Sequence, residues 1–285
     1  MPNIDAFPRC RVRAPWPLTL LLLAVCSHPA AAMNDDDPDI TFAADISHFD
    51  YREFDRDGHE LNHESGPLPG LRLTADAGKG QVFARLGASV HSGTVDYDGE
   101  TQAGNPVTTR TDTRLVTLAV EAGRWFGEPG HGWAGFLRLA RRMWDRDIRS
   151  SRRARGLYEE YRWSEAGVGV RRVWPSSTRS RWRHSASATL LTTFDGTVYV
   201  RLTDVDPSWD NDVLDLGDEP GVRVRYTATR DFGEQTWRIE PYFEYWEFGR
   251  SDTHDVTANG ADTGYNVSEP RSESWRLGVA VGLVF

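Results

Sequence analysis

Several pairs of aspartates stand one residue apart, among them Asp96/Asp98, Asp145/Asp147, Asp204/Asp206 and Asp210/Asp212. On an extended chain, residues i and i+2 project from one face. Each pair therefore sets two carboxylates side by side. Such a pair can hold a hard cation such as calcium, or orient a water for attack. An acidic, hydrated loop uses the same residues with no chemistry at all. A second cluster is basic: Arg149, Arg152, Arg153 and Arg155 fall within Asp145–Gly156. Guanidinium groups bind phosphate in a bidentate fork. No phosphate-binding glycine loop, nucleophile elbow or Cys/His metal spacing occurs, so the sequence calls for no cofactor and no resident metal.

The elements that must carry these residues read as strands. Trp275, Leu277, Val279, Val281, Leu283 and Phe285 alternate with Ser274, Arg276, Gly278, Ala280 and Gly282. That is the period of a strand with one apolar and one small or polar face. The same alternation recurs upstream near residues 40–46, 71–76, 81–91, 116–121, 133–139, 165–171, 182–190, 222–228 and 237–245. The total is ten. Asp195-Gly196 is a hairpin signal, but an even count favours one long strand over 181–203. Counts of eight or twelve are the alternatives. The connections alternate between short ones and long polar ones, among them 55–68 and 94–113. Bacterial outer-membrane barrels alternate in that way.

The N-terminus supports export. Arg9, Arg11 and Arg13 precede the apolar run Pro17–Val25 and then Ala30-Ala31-Ala32. Charge, apolar run and small-residue site in that order mark residues 1–32 as a signal peptide and leave 33–285 as the barrel. Both cysteines, Cys10 and Cys26, fall inside the signal. Without it the chain keeps 30 basic and 41 acidic residues, a balance that excludes a nucleic-acid partner. No later segment is long and apolar enough for a transmembrane helix, and only helices and closed barrels satisfy every backbone group in lipid.

The predicted fold is an all-β, antiparallel, up-and-down transmembrane barrel in a bacterial outer membrane, acting as a monomer. Apolar side chains face lipid. The other face is too polar for the core of a soluble sandwich. It carries Asp45, Asp76, Glu121, Glu165, Glu240 and Glu244 with Arg72, Arg85, Arg138, Arg171, Arg183, Arg223, Arg225, Arg238 and Arg276. Such residues can fill a narrow ten-strand lumen with ion pairs. Trp125, Trp133, Trp174, Trp182, Trp237 and Trp275 lie near strand ends, where interfacial girdles sit. Terminal Phe285 resembles the C-terminal signal that the barrel-assembly machinery reads. Outer-membrane lipid is the expected surroundings, and lipopolysaccharide phosphates are the expected partner of the basic loop.

Ten strands, about 250 residues and Val95-Asp96-Tyr97-Asp98 after the third strand resemble the omptins, outer-membrane aspartyl-type proteases. The resemblance implies that Asp96 and Asp98 form one half of a water-activating site. Its other half in that family is an Asp-x-His pair on the fourth long loop. Asp204–Asp212 supplies carboxylates there but no histidine, and His91, His184 and His254 stand elsewhere. Three classes of function follow: a surface-binding or structural barrel with a plugged lumen, an omptin-like endopeptidase, and a narrow pore for small solutes.

Overall fold

Alternation builds a wall with two faces, and the wall closes on itself. A computed structural model of the protein describes residues 38–101, 104–174 and 181–285. The proposed signal peptide and the short connection at 175–180 lie outside the described residues. The strands are β1 (Asp39–Phe54), β2 (Glu60–Lys79), β3 (Val82–Glu100), β4 (Pro106–Phe126), β5 (Gly132–Ile148), β6 (Leu157–Trp174), β7 (Trp182–Val200), β8 (Asp212–Asp215), β9 (Pro220–Phe232), β10 (Gln235–Phe248), β11 (His254–Ala258), β12 (Ala261–Val267) and β13 (Arg271–Val284). Ten of them, all but β8, β11 and β12, pair antiparallel in chain order, and β13 closes the ring on β1. The backbones of Phe285 and Ile40 exchange hydrogen bonds at 2.7 and 3.0 Å across that seam. Closure leaves no free edge, which is what a sheet needs in lipid.

One rim carries the short turns, such as Phe232–Gln235; the other carries the long connections. Above the short-turn rim runs an outward apolar belt, including Leu73, Leu86, Leu118, Leu139, Val168, Leu190 and Leu277. Phe126, Trp133, Trp174, Trp237 and Phe285 stand exposed along its lower edge. Trp125 does not join them. Its register turns it inward, where it packs on Phe83 at 5.3 Å and is buried.

The strands exceed what lipid requires. A tilted strand crosses a bilayer in roughly 9–11 residues, whereas β2, β3 and β4 run for 20, 19 and 21. The segments 55–68 and 94–113, expected as loops, are mostly strand: β1 with β2, and β3 with β4, continue as hairpins above the belt. β7 is indeed one strand. Asp195 takes a φ of 52° where Asp195-Gly196 bulges opposite Trp163, so the turn signal produces a bulge and not a hairpin. β9, β10 and β13 are only 13–14 residues long. On that lower side β8 pairs with the top of β7, and the β11–β12 hairpin continues the connection between β10 and β13.

The interior is packed in layers. Just above the short-turn rim, Phe83, Trp125, Ala134 and Phe136 form an apolar floor. Phe136 fits because Gly169 faces it: a Cβ there would come within 2.3 Å of the ring. Salt-bridged residues fill the middle. Above them Phe49, Leu68, Leu115, Trp144, Trp163, Trp246, Phe248 and neighbours make a second apolar core. The expected polar lumen is therefore interrupted by an apolar floor and an apolar core.

Candidate functional site

Alternation on β1 to β6 and on β9, β10 and β13 points charged residues at one another across a space too narrow for bulk water. Arg72 bridges Asp45 and Glu240, each at 2.5 Å. Asp76 takes Arg85 at 2.5 Å and Arg238 at 3.1 Å. Glu121 takes Arg138, Arg171 and Arg225 at 3.0–3.3 Å. Glu244 takes Arg142 and Arg223 at 3.1–3.2 Å and Arg276 at 3.7 Å. Glu165 takes Arg142 at 2.8 Å. Tyr242 donates to Asp45 at 2.9 Å and accepts from Arg276 at 2.8 Å. Fourteen of the fifteen residues expected on the inward face lie in this layer, with Arg142 as an addition. Arg183 does not: it stands at the short-turn rim, with its side chain mostly exposed beside Asp231 at 3.3 Å. Cavities of about 40 and about 10 Å³ remain among them, room for isolated waters rather than a continuous column.

The aspartate pairs come out differently. Asp96 and Asp98 lie on β3, not in a loop, and point outward, because the inward positions there belong to Val95 and Tyr97. Asp96 is highly exposed, with Arg110 at 3.7 Å, and Asp98 accepts from Thr108 at 2.9 Å. The wall separates them from the interior, so they do not face a partner across the lumen. Asp204 accepts from Arg201 at 2.8 Å, Asp206 from Ser208 at 2.7 Å and Asp210 from Thr257 at 2.8 Å. These bonds shape loops, and the bonds to Asp206 and Asp210 hold both carboxyls below the usual range.

Asp212 is the exception. At the start of β8 it meets His254, at the start of β11, with 2.9 Å between Oδ2 and Nδ1. The two residues lie 42 apart in sequence, on different connections, so no local spacing reveals the pair. They line a cleft of about 370 Å³ at the loop rim with Leu202, Asp210, Asn211 and Thr257. A carboxylate on Nδ1 fixes the neutral imidazole with its proton there, leaving the Nε2 lone pair to accept one.

The basic loop is largely spoken for. Arg149 forks onto Asp112 at 2.7 and 2.8 Å, Arg153 donates to the Pro106 carbonyl at 3.2 Å and Arg155 to the Val205 carbonyl at 2.7 Å. Arg149, Arg153 and Arg155 each hold a different partner instead of sharing a single phosphate cradle. Two carboxylates and an imidazole do converge at the β1–β2 tip, Asp55, Asp57 and His59, but Asp55 already accepts from the Asp57 and His59 amides, each at 2.8 Å, which closes that turn.

No family model and no curated protein matches the sequence. Solved structures do match. The outer membrane protease OmpT from Escherichia coli is 8% identical, over 88% of this chain and 97% of that one, with a TM-score of 0.59. The outer membrane protein OprG from Pseudomonas aeruginosa is 10% identical over 88% and 97%, at 0.39. The transport unit of the autotransporter AIDA-I from Escherichia coli is 10% identical over 90% and 93%, at 0.41. With its closed ring of ten antiparallel strands, the chain is an outer-membrane-type β-barrel whose likeness to the omptin architecture is one of fold.

Proposed function

We propose that this barrel is exported to a bacterial outer membrane, is closed to solutes, and works at the cell surface through the loops and hairpins of its long-connection rim. One observation carries the reading: floor, ion-pair layer and aromatic core occupy the lumen in series. A pore needs a continuous polar path, and a buried ion-pair layer capped by packed rings offers none. Refolded protein in planar bilayers is expected to show no current steps at any voltage a bilayer tolerates. Regular steps would overturn the reading. Surface binding through the rim would leave lipopolysaccharide in contact with the exposed Arg152 and with the outward Arg110, rather than with the engaged members of the basic loop.

A hydrolytic reading stands second, favoured by the Asp212–His254 pair in its cleft. It places general-base work at His254 and none at Asp96 or Asp98. Incubation with a mixed peptide library tests it. Cleavage lost in His254→Ala and kept in Asp96→Asn/Asp98→Asn supports this site. Absence of cleavage leaves binding as the role of the cleft.

A further inference from the structure

Above the aromatic core, at the mouth of the barrel, four carboxylates are buried around one cation. Arg146 on β5 reaches Glu53 on β1 at 2.7 Å, Glu64 on β2 at 2.8 Å and Glu159 on β6 at 2.6 Å. The fourth, Glu269, comes from the connection between β12 and β13. Among the described residues it has no cation within ion-pair distance. Its Oε1 accepts from Tyr161 at 2.7 Å and from Tyr51 at 3.2 Å. Its neighbour Arg271 is occupied by Glu273 at 2.6 Å. From β3 only the neutral phenol of Tyr97 faces the group, and from β4 the hydroxyl of Thr111 donates to Glu64 at 3.0 Å.

One guanidinium cannot neutralise four buried carboxylates. Two like charges sharing such a site push one of them to keep its proton. Burial, with Glu53 and Glu159 close by, pushes Glu269 well above the ordinary carboxylate range. The backbone ties this residue to the loop it belongs to. Glu269 N–H donates to Ser251 Oγ at 2.7 Å, and Ser251 N–H donates to the Glu269 carbonyl at 3.0 Å. Ser251 and Glu269 thus pinch the two feet of the connection that carries β11 and β12.

We propose that Glu269, seated among Glu53, Glu64 and Glu159, is a proton-operated clasp that fastens the β10–β13 connection and its hairpin into the barrel mouth. With a proton on Glu269 the clasp is shut. Ionised, it adds an unpaired negative charge to an acidic, dry pocket, and the foot of the connection lifts. The sign follows from linkage: a carboxyl raised on folding contributes fully below its ordinary value and loses that contribution as pH rises through its raised one. The clasp is independent of what the rim binds. It does control the hairpin that brings His254 to Asp212.

Hydrogen exchange on the full chain in lipid vesicles, corrected for intrinsic rates, tests it between pH 5 and pH 9. Protection of the β11–β12 hairpin is expected to fall by about tenfold or more with rising pH while the apolar belt stays protected. Glu269→Gln, which keeps the acceptor and removes the charge, is expected to abolish the fall. A flat wild-type profile, or an equal fall in Glu269→Gln, overturns the proposal. Should Glu269→Gln fail to assemble, Glu53→Gln decides the matter: it removes a neighbouring negative charge, so the fall must shrink. An unchanged fall there is equally fatal.

Discussion

Glu121→Leu is expected to lower the unfolding free energy by about 3–5 kcal/mol, the cost of removing one partner from a buried ionic cluster. Glu121 is 2% exposed and takes three guanidiniums, from β5, β6 and β9. Without it those cations face one another across a dry space. Arg171 loses its carboxylate at 3.0 Å and keeps the rings of Phe83 and Phe136, at 4.6 and 5.4 Å, and a cation–π contact is worth less than a charge-assisted hydrogen bond. Urea unfolding of the barrel in lipid vesicles, followed by tryptophan fluorescence, gives the number. A loss under about 1 kcal/mol would mean that water already screens the layer and that it is not dry.

Trp163→Ala is expected to cost a similar amount, about 3–5 kcal/mol, by leaving a cavity in a close-packed core. Trp163 has no exposed surface. Its ring stacks on Trp246 at 6.2 Å and meets Phe248 edge-on at 5.1 Å. The same unfolding experiment measures it. The variant is also expected to remain electrically silent: it removes a 3.4 Å hydrogen bond to Glu165 and a ring face beside Arg142, but the salt bridges of the arginine layer and the aromatic floor remain below. Loss of stability without gain of conductance would separate the two roles of the packing. Channel openings in Trp163→Ala would show that the upper core alone holds the barrel shut.

Much of the belt was legible because lipid enforces a simple rule: apolar outward, polar inward, every second residue. Asp45, Glu121, Arg138 and Glu244 follow from it directly. The rule inverts above the lipid. On β5, Leu137 and Leu139 face out with Arg138 inside, yet a few residues on Trp144 is buried while Arg141 and Asp147 are exposed. Water now bathes the outer face, so that face turns polar and the inside becomes the apolar side. Where the phase changes, alternation blurs into something resembling loop composition. That is why the upper halves of β1 to β4, Asp96 and Asp98 with them, read as loops. Carrying the parity of β5 past Arg138 would have placed Arg142 and Arg146 inside. Trp125 was misplaced because a tryptophan near a strand end suits a girdle or a floor equally well, and only register separates them. Asp212 with His254, and Glu269 with Glu53, bring together segments far apart in sequence, so no local spacing announces them.

The charges inside the barrel are sorted by height. In the middle layer nine arginines meet six carboxylates, and at the mouth four carboxylates surround one arginine. The lower zone is rich in fixed positive charge and the upper in fixed negative charge, wherever its protons are lost. Placed end to end, the two zones make a bipolar junction. Were thermal motion or damage to admit a thread of water, a cation drawn into the mouth would be stopped by the arginines beneath it. An anion rising from the other side would meet the carboxylates. A leak of either sign is opposed by one half of the column, so the barrel is guarded against ions even where its packing fails.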